Sequence, residues 1–199
     1  DVVFSASVDG NGSASVDGST LTVSPAADYN GDITVTVSAS DGTLAGNSSF
    51  ILTVTPVNDA PVITAIADQS ADEDTTFVFD VTASDVDGDD LTYSATNGNA
   101  TITVDGNTLT VVPESNYVGD SVITVIVSDG TDSSTSTFTL TFNPVNDAPV
   151  LDAIADGSTD EDTAFVMSLS SSDVDGDDVT YSASASNGSA TVDGGILTV

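Results

Sequence analysis

Apolar residues along this chain fall at every second position in short runs. Phe77, Phe79 and Val81 alternate with smaller or polar neighbours, and Phe138, Leu140 and Phe142 alternate with Thr137, Thr139 and Thr141. A period of two sends successive side chains to opposite faces of a pleated strand, so each run predicts a strand with one buried face. Strands are expected over about 62–66, 76–82, 91–95, 100–104, 107–112, 121–128 and 134–142. Asp87-Gly88, Asn97-Gly98, Asp105-Gly106 and Asp129-Gly130 stand between the runs as turn signals. No stretch carries the three-to-four-residue spacing of an amphipathic helix. Seven short strands in one stretch predict an all-β fold, an immunoglobulin-like seven-stranded β-sandwich.

The pattern recurs with a period of 88 residues, the distance from Pro56 to Pro144. Pro56-Val57-Asn58-Asp59-Ala60-Pro61-Val62 returns unchanged as Pro144 to Val150, and Asp72-Glu73-Asp74-Thr75 returns as Asp160 to Thr163. Asp85-Val86-Asp87-Gly88-Asp89-Asp90 returns as Asp173 to Asp178. A fixed period of this size predicts tandem domains in a linear array. Residues 1–57 correspond to 89–145, the back of a unit; residues 58–145 form a complete unit; residues 146–199 correspond to 58–111, the front of the next. A partial sandwich exposes a sheet edge and half a core. Two readings resolve this: the units continue outside these residues, or the back half of one molecule completes the front half of another, head to tail.

Charge sharpens the picture. The chain has 32 acidic residues and no Lys, Arg or His, a formal charge of −32. Nothing is present to neutralise phosphates, which excludes nucleic acid, and anionic membrane surfaces are disfavoured for the same reason. Salt bridges cannot hold such a chain together, so bulk salt or bound cations must offset the repulsion. No cysteine is present, which removes disulfides, thiolate chemistry and Cys-based zinc sites. No apolar run reaches the ~18 residues of a membrane helix. Catalysis is not expected: the carboxylate pairs recur in each unit, and no His, Lys, Arg or Cys stands by to tune them.

The acidic residues are almost all Asp, whose short carboxylate suits turns and tight oxygen cages. Asp85, Asp87 and Asp89 follow a D-x-D-x-D spacing with Gly88 inside, and Asp173, Asp175 and Asp177 repeat it. Alternate carboxylates on a tight loop converge on one hard cation, and Ca²⁺ accepts six to eight oxygens in flexible geometry. A solvated turn between strands is the plainer reading of either loop alone. Tyr29, Tyr117, Tyr93 and Tyr181 are read as sandwich packing, and Asp68, Asp80, Asp152 and Asp156 as solvated faces or secondary cation contacts.

In order, one unit reads D-E-D-T, D-x-D-G-D with L-T-Y-S, V-S-D-G, then V-N-D-A-P-V. This ordered set resembles the cadherin-like repeats of giant bacterial adhesins of the VCBS and RTX types, over essentially the whole chain. The resemblance implies calcium ions at the junctions between consecutive domains. It implies Asn58 and Asp59 as linker ligands of the first junction, with Asp85, Asp87 and Asp129 from the following unit. At the second junction it implies Asn146, Asp147, Asp173 and Asp175. Glu73 is implied to serve the junction at the far end of its unit, near Asn146; Glu161 is its repeat, and Asp41 is implied to serve a junction upstream of Asp1. The chain departs from the cadherin pattern in its shorter linker, N-D-A-P. It also carries Pro113-Glu114-Ser115-Asn116-Tyr117 where that family has L-D-R-E, leaving Glu114, Asn116 and Asp120, with Asp28 and Asp32, as candidate substitutes. The implied role is a structural extender of an extracellular, bacterial cell-surface adhesin, whose partners are adjacent repeats of the same chain or like subunits. A self-assembling filament or surface-layer subunit and a calcium-dependent carbohydrate-binding or surface-binding module are the alternatives.

Overall fold

The computed structural model describes residues 1–97 and 99–199, so the expected turn at Asn97-Gly98 lies partly outside the described residues. Among them there are strands and no helix. Residues 1–57 form β1 (Val3–Val8), β2 (Gly12–Asp17), β3 (Thr20–Pro25), β4 (Gly31–Ser40) and β5 (Ala45–Val54). The middle unit forms β6 (Val62–Ile63), β7 (Gln69–Asp72), β8 (Phe77–Asp80), β9 (Ala83–Ser84), β10 (Thr92–Thr96), β11 (Ala100–Asp105), β12 (Thr108–Pro113), β13 (Gly119–Ser128) and β14 (Ser133–Asn143). The last stretch forms β15 (Val150–Leu151), β16 (Val166–Ser168), β17 (Ser171–Ser172), β18 (Thr191–Asp193) and β19 (Ile196–Thr198).

The middle unit is an immunoglobulin-like sandwich. One sheet has the order β10-β13-β14-β7, the other β11-β12-β8, and β6 pairs with β9 at one end. Alternation drives the packing: Ile123, Val125 and Val127 of β13 and Phe138, Leu140 and Phe142 of β14 point inward, against Val81, Leu109 and Val111. The rings of Phe79 and Phe138 meet across the sheets at 5.8 Å. Tyr117 packs edge-on against Phe142 at 6.0 Å, and its hydroxyl donates to the Asp120 carbonyl at 2.8 Å. Tyr29 makes the same bond to Asp32, so the tyrosines at this repeat position pin the start of β4 and β13.

β7 was not expected from the sequence. Its residues, Gln-Ser-Ala-Asp, have little strand propensity, and it exists because it pairs in parallel with β14, Leu140 opposite Gln69 through Asn143 opposite Asp72. The expected strand over 62–66 shortens to β6 for a related reason: after Ile63 the chain leaves its pairing with β9 and goes on to join β14 as β7.

The flanking stretches keep the strands whose partners they contain. β1-β4-β5 and β2-β3 form one half-built sandwich, and β16-β19-β18 with β15-β17 form the other. Residues 180–184, which repeat β10, form no strand, because β10 is held by β13 and no repeat of β13 follows within these residues. Phe50, the repeat of Phe138, is 46% exposed where Phe138 is 3% exposed, since no strand equivalent to β8 covers it. In β1 the repeat slips by one: Phe4 faces Ala39 as Tyr93 faces Val127, so an extra residue is absorbed between β1 and β2.

Candidate metal centre

Both linkers engage the following D-x-D loop through the same backbone bond. The Asp59 N–H donates to Asp87 Oδ2 at 2.8 Å, and the Asp147 N–H donates to Asp175 Oδ2 at 2.6 Å. The loops are built to receive it. Asp85 Oδ1 accepts the N–H groups of Asp87 (2.9 Å) and Asp89 (3.5 Å), folding the carboxylates inward over Gly88, whose φ of 81° the tight turn requires. Asp173 Oδ1 does the same for Asp175 and Asp177 at 3.0 and 3.2 Å. Carboxylate oxygens of Asp85, Asp87 and Asp89 lie within 4.8 Å of one another.

At the second junction three elements converge. Glu73 (3% exposed), Asp147 and Asp175 bring carboxylate oxygens within 4.8 Å of one another. Glu73 Oε1 accepts the Val145 N–H at 2.8 Å, which fixes its side chain against the start of the linker. Asp74 Oδ1 accepts the Asn116 N–H at 2.9 Å, tying the D-E-D-T turn to the turn before β13. The non-glycine residues with positive φ among the described residues are Asp28, Asp74, Asn116 and Asp162, at 56° to 64°. They occupy two repeat positions, 28/116 and 74/162, and Asp74 and Asn116 meet at this junction. Asp and Asn tolerate this conformation better than other side chains, and strained backbone gathers where a site demands a particular geometry.

The Asn116 amide lies between the carboxylates of Asp74 and Asp147, and with its nitrogen turned to them it donates to Asp74 at 3.1 Å and Asp147 at 3.3 Å. One feature of the first junction suits a cation. Asp85 Oδ2 is buried without a hydrogen-bond partner, a costly state for a carboxylate oxygen unless a metal satisfies it. The donor set is hard oxygen throughout, which fits calcium.

The electrostatics agree. Loss of water contact, then the charges of Asp175, Asp74, Glu73 and Asp173, raise the Asp147 carboxyl above its ordinary value. Loss of water contact and the charges of Asp28, Asp87 and Asp85 raise Asp59 likewise. Both linker carboxylates therefore sit where negative charge is crowded, a crowding a divalent ion relieves.

Asp129 has hydrogen-bond partners of its own. Its Oδ1 accepts the N–H groups of Thr131 and Asp132, both at 2.6 Å, and its Oδ2 accepts the Asn58 amide at 3.0 Å. Those bonds, the Asn58 one foremost, hold its carboxyl below the ordinary value. Asp132 Oδ2 takes a second bond from Asn58 at 2.9 Å. Asp41 caps its own turn, accepting the N–H groups of Thr43 and Leu44, and the Leu44 bond leads in lowering its carboxyl. Asn146 donates to the Asp147 carbonyl at 2.9 Å, and Glu161 is exposed.

Of the candidate substitutes, Asn116 and Asp28 face the junctions, Asp28 lining a shallow notch with Asp59 and Asp85. Asp120 and Asp32 instead bond Thr141 (2.6 Å) and Thr53 (2.7 Å) on the neighbouring strand, and Glu114 is exposed. Asp68 and Asp80 bond Thr139 N–H (2.7 Å) and the Thr108 hydroxyl (2.6 Å). Sequence reasoning passed over Asp74 and Asp132. Asp74 carried a signal in its repeat at Asp162; Asp132 carried none, since Leu44 stands at its repeat position.

Comparison with known proteins places these features in context. Over an alignment of 112 positions that covers 52% of this chain, it is 34% identical to part of Chitinase A of Pseudoalteromonas piscicida; the match spans only 13% of that enzyme's length. Among solved structures, human Protocadherin-24 EC1-2 covers 71% of this chain and 81% of its own, at 16% identity and a TM-score of 0.46. The endo-fucoidan hydrolase MfFcnA4 covers all of this chain and 34% of its own, at 19% identity and a TM-score of 0.38. Residues 58–143 match the family model described as Bacterial Ig domain, in agreement with the sandwich those residues form.

Proposed function

We propose that this chain is a non-catalytic extender segment of a long extracellular bacterial surface protein, whose domain junctions are stiffened by calcium. The observation that carries this reading is the second junction. There Glu73 from the unit before, Asp147 from the linker and Asp175 from the unit after bring carboxylate oxygens within 4.8 Å of one another. A cation held by all three pieces fixes one unit against the next. Without it, like charges crowd the linker and the units swing. Extracellular calcium modules bind with a dissociation constant of ~10⁻⁴–10⁻³ M, matched to the calcium outside cells. At about 10 mM calcium such a site stabilises the bound state by roughly 1.4–2.7 kcal/mol. The match to a small part of a chitinase supports an accessory module rather than a reaction centre.

Small-angle X-ray scattering of the chain in calcium and in excess chelator, at constant ionic strength, tests the proposal. A longer maximum dimension and a rod-like profile in calcium, both lost on chelation, support it. Superimposable profiles would reduce the Asp clusters to solvated turns.

Self-assembly by head-to-tail completion is the second reading: an apolar cleft of about 270 Å³ lined by Leu151, Ile154, Tyr181 and Leu197 opens in the last stretch. Against it, each half-sandwich already holds its own hairpin of the same kind, β2-β3 and β18-β19. Joining the halves would force one of those hairpins out.

A further inference from the structure

Asn58 turns its amide nitrogen to Asp129 Oδ2 at 3.0 Å and Asp132 Oδ2 at 2.9 Å. We propose that Asn58 is a built-in substitute for a cation, its two amide hydrogens filling the gap between Asp129 and Asp132 and tying the linker to the turn between β13 and β14 without a metal ion.

The geometry suits the role. An amide NH₂ offers two donors in one plane, and two carboxylates offer acceptors with no positive side chain anywhere to pair them. Asp129 is organised to receive it, since its other oxygen is already taken by the N–H groups of Thr131 and Asp132. The linker is thereby bent onto its own unit before any ion arrives, and the neighbouring Asp59 N–H reaches Asp87 from that fixed start. Asn58 is a positioning residue on this account. The device belongs to this turn in particular: the repeat of Asp132 is Leu44, so the corresponding turn between β4 and β5 cannot hold a linker amide from both sides. The ion count of the first junction rests on the calcium reading above; the tie itself does not.

The test uses the whole chain with two variants, Asn58→Asp and Asp129→Asn. Calcium stoichiometry is measured by equilibrium dialysis and thermal midpoints in chelator and in rising calcium. Asn58→Asp keeps the shape but removes both donors and adds a carboxylate. The expected results are a lower midpoint in chelator, recovery in calcium, and a further ion bound per chain. Asp129→Asn is expected to leave the stoichiometry of the native chain unchanged. If instead Asp129→Asn loses an ion and Asn58→Asp gains none, a cation already occupies the gap and the proposal fails. Should the native chain bind no calcium at all, the chelator arm alone decides. A midpoint lowered by Asn58→Asp then upholds the tie while the stiffening proposal falls, and an unchanged midpoint overturns the tie as well.

Discussion

Replacing Glu73 by Gln separates the two jobs this buried side chain performs. Its Oε1 accepts the Val145 N–H at 2.8 Å, and its carboxylate stands within 4.8 Å of those of Asp147 and Asp175. Gln keeps the volume and an amide oxygen for Val145 but removes one of three converging negative charges. Calcium affinity in oxygen cages is set by charge count and rigidity, so a loss of about tenfold is expected. At ~10 mM calcium and a native constant of ~10⁻⁴–10⁻³ M, that weakening removes about 1.0–1.3 kcal/mol of linkage. For a domain of this size it lowers the thermal midpoint by about 4–10 °C. In chelator the sign reverses or vanishes, because the substitution relieves crowding at Asp147 while the Val145 bond persists. Differential scanning calorimetry in both conditions reads the difference directly. An equal drop in calcium and in chelator would show that Glu73 serves only as an acceptor for Val145, and the cation reading of this junction would fail.

Three further outcomes follow from the same geometry. Asn116→Asp places at the second junction the residue that the first carries as Asp28; titration calorimetry should show tighter calcium binding, while the midpoint in chelator falls. Asp59 and Asp147 are raised in the folded state, so in chelator their contribution is present below the ordinary carboxylate value and is lost as pH rises through the folded one. Asp129 and Asp41 are lowered, so theirs is present above the ordinary value and is lost as pH falls through the folded one. Melting curves in chelator should therefore rise as pH drops from neutral toward the ordinary carboxylate range and then decline, and calcium should abolish the first limb. Phe138→Ala should cost about 3–5 kcal/mol by chemical denaturation of the middle unit, and Phe50→Ala at the same repeat position less than half of that, because one ring is enclosed and the other is not.

The fold was legible wherever one strand's own residues decide its fate. β13 and β14 alternate so regularly that their inner faces could be named from sequence, and Val125, Leu140 and Phe142 are where the period of two puts them. β7 was not legible, because a polar Gln-Ser-Ala-Asp segment becomes a strand only when β14 offers an edge to it. The site divides in the same way. D-x-D spacing is a local property, and Asp85, Asp87 and Asp89 do gather. The meeting of Asp74 with Asn116 joins turns 42 residues apart and depends on two left-handed backbones, which composition and spacing do not encode. Asp129 was expected to join Asp85 and Asp87 at the first junction; the linker amide of Asn58 bonds both it and Asp132, and the Asp132 half could not be read from repetition because Leu44 breaks it.

The parallel pairing of β7 with β14 bears on how such a unit answers a pull. Chain enters the middle unit before β7 and leaves after β14, and the two strands lie side by side pointing the same way over Gln69 to Asp72 and Leu140 to Asn143. Tension between the two ends drags these neighbours past each other along their length, so their cross-strand bonds are strained together in shear rather than opened one at a time. A short, sequence-poor strand thus stands as the unit's mechanical clasp. Where the linker is anchored at Glu73 and Val145, immediately beyond that clasp, a pull along the chain reaches it with little slack to absorb.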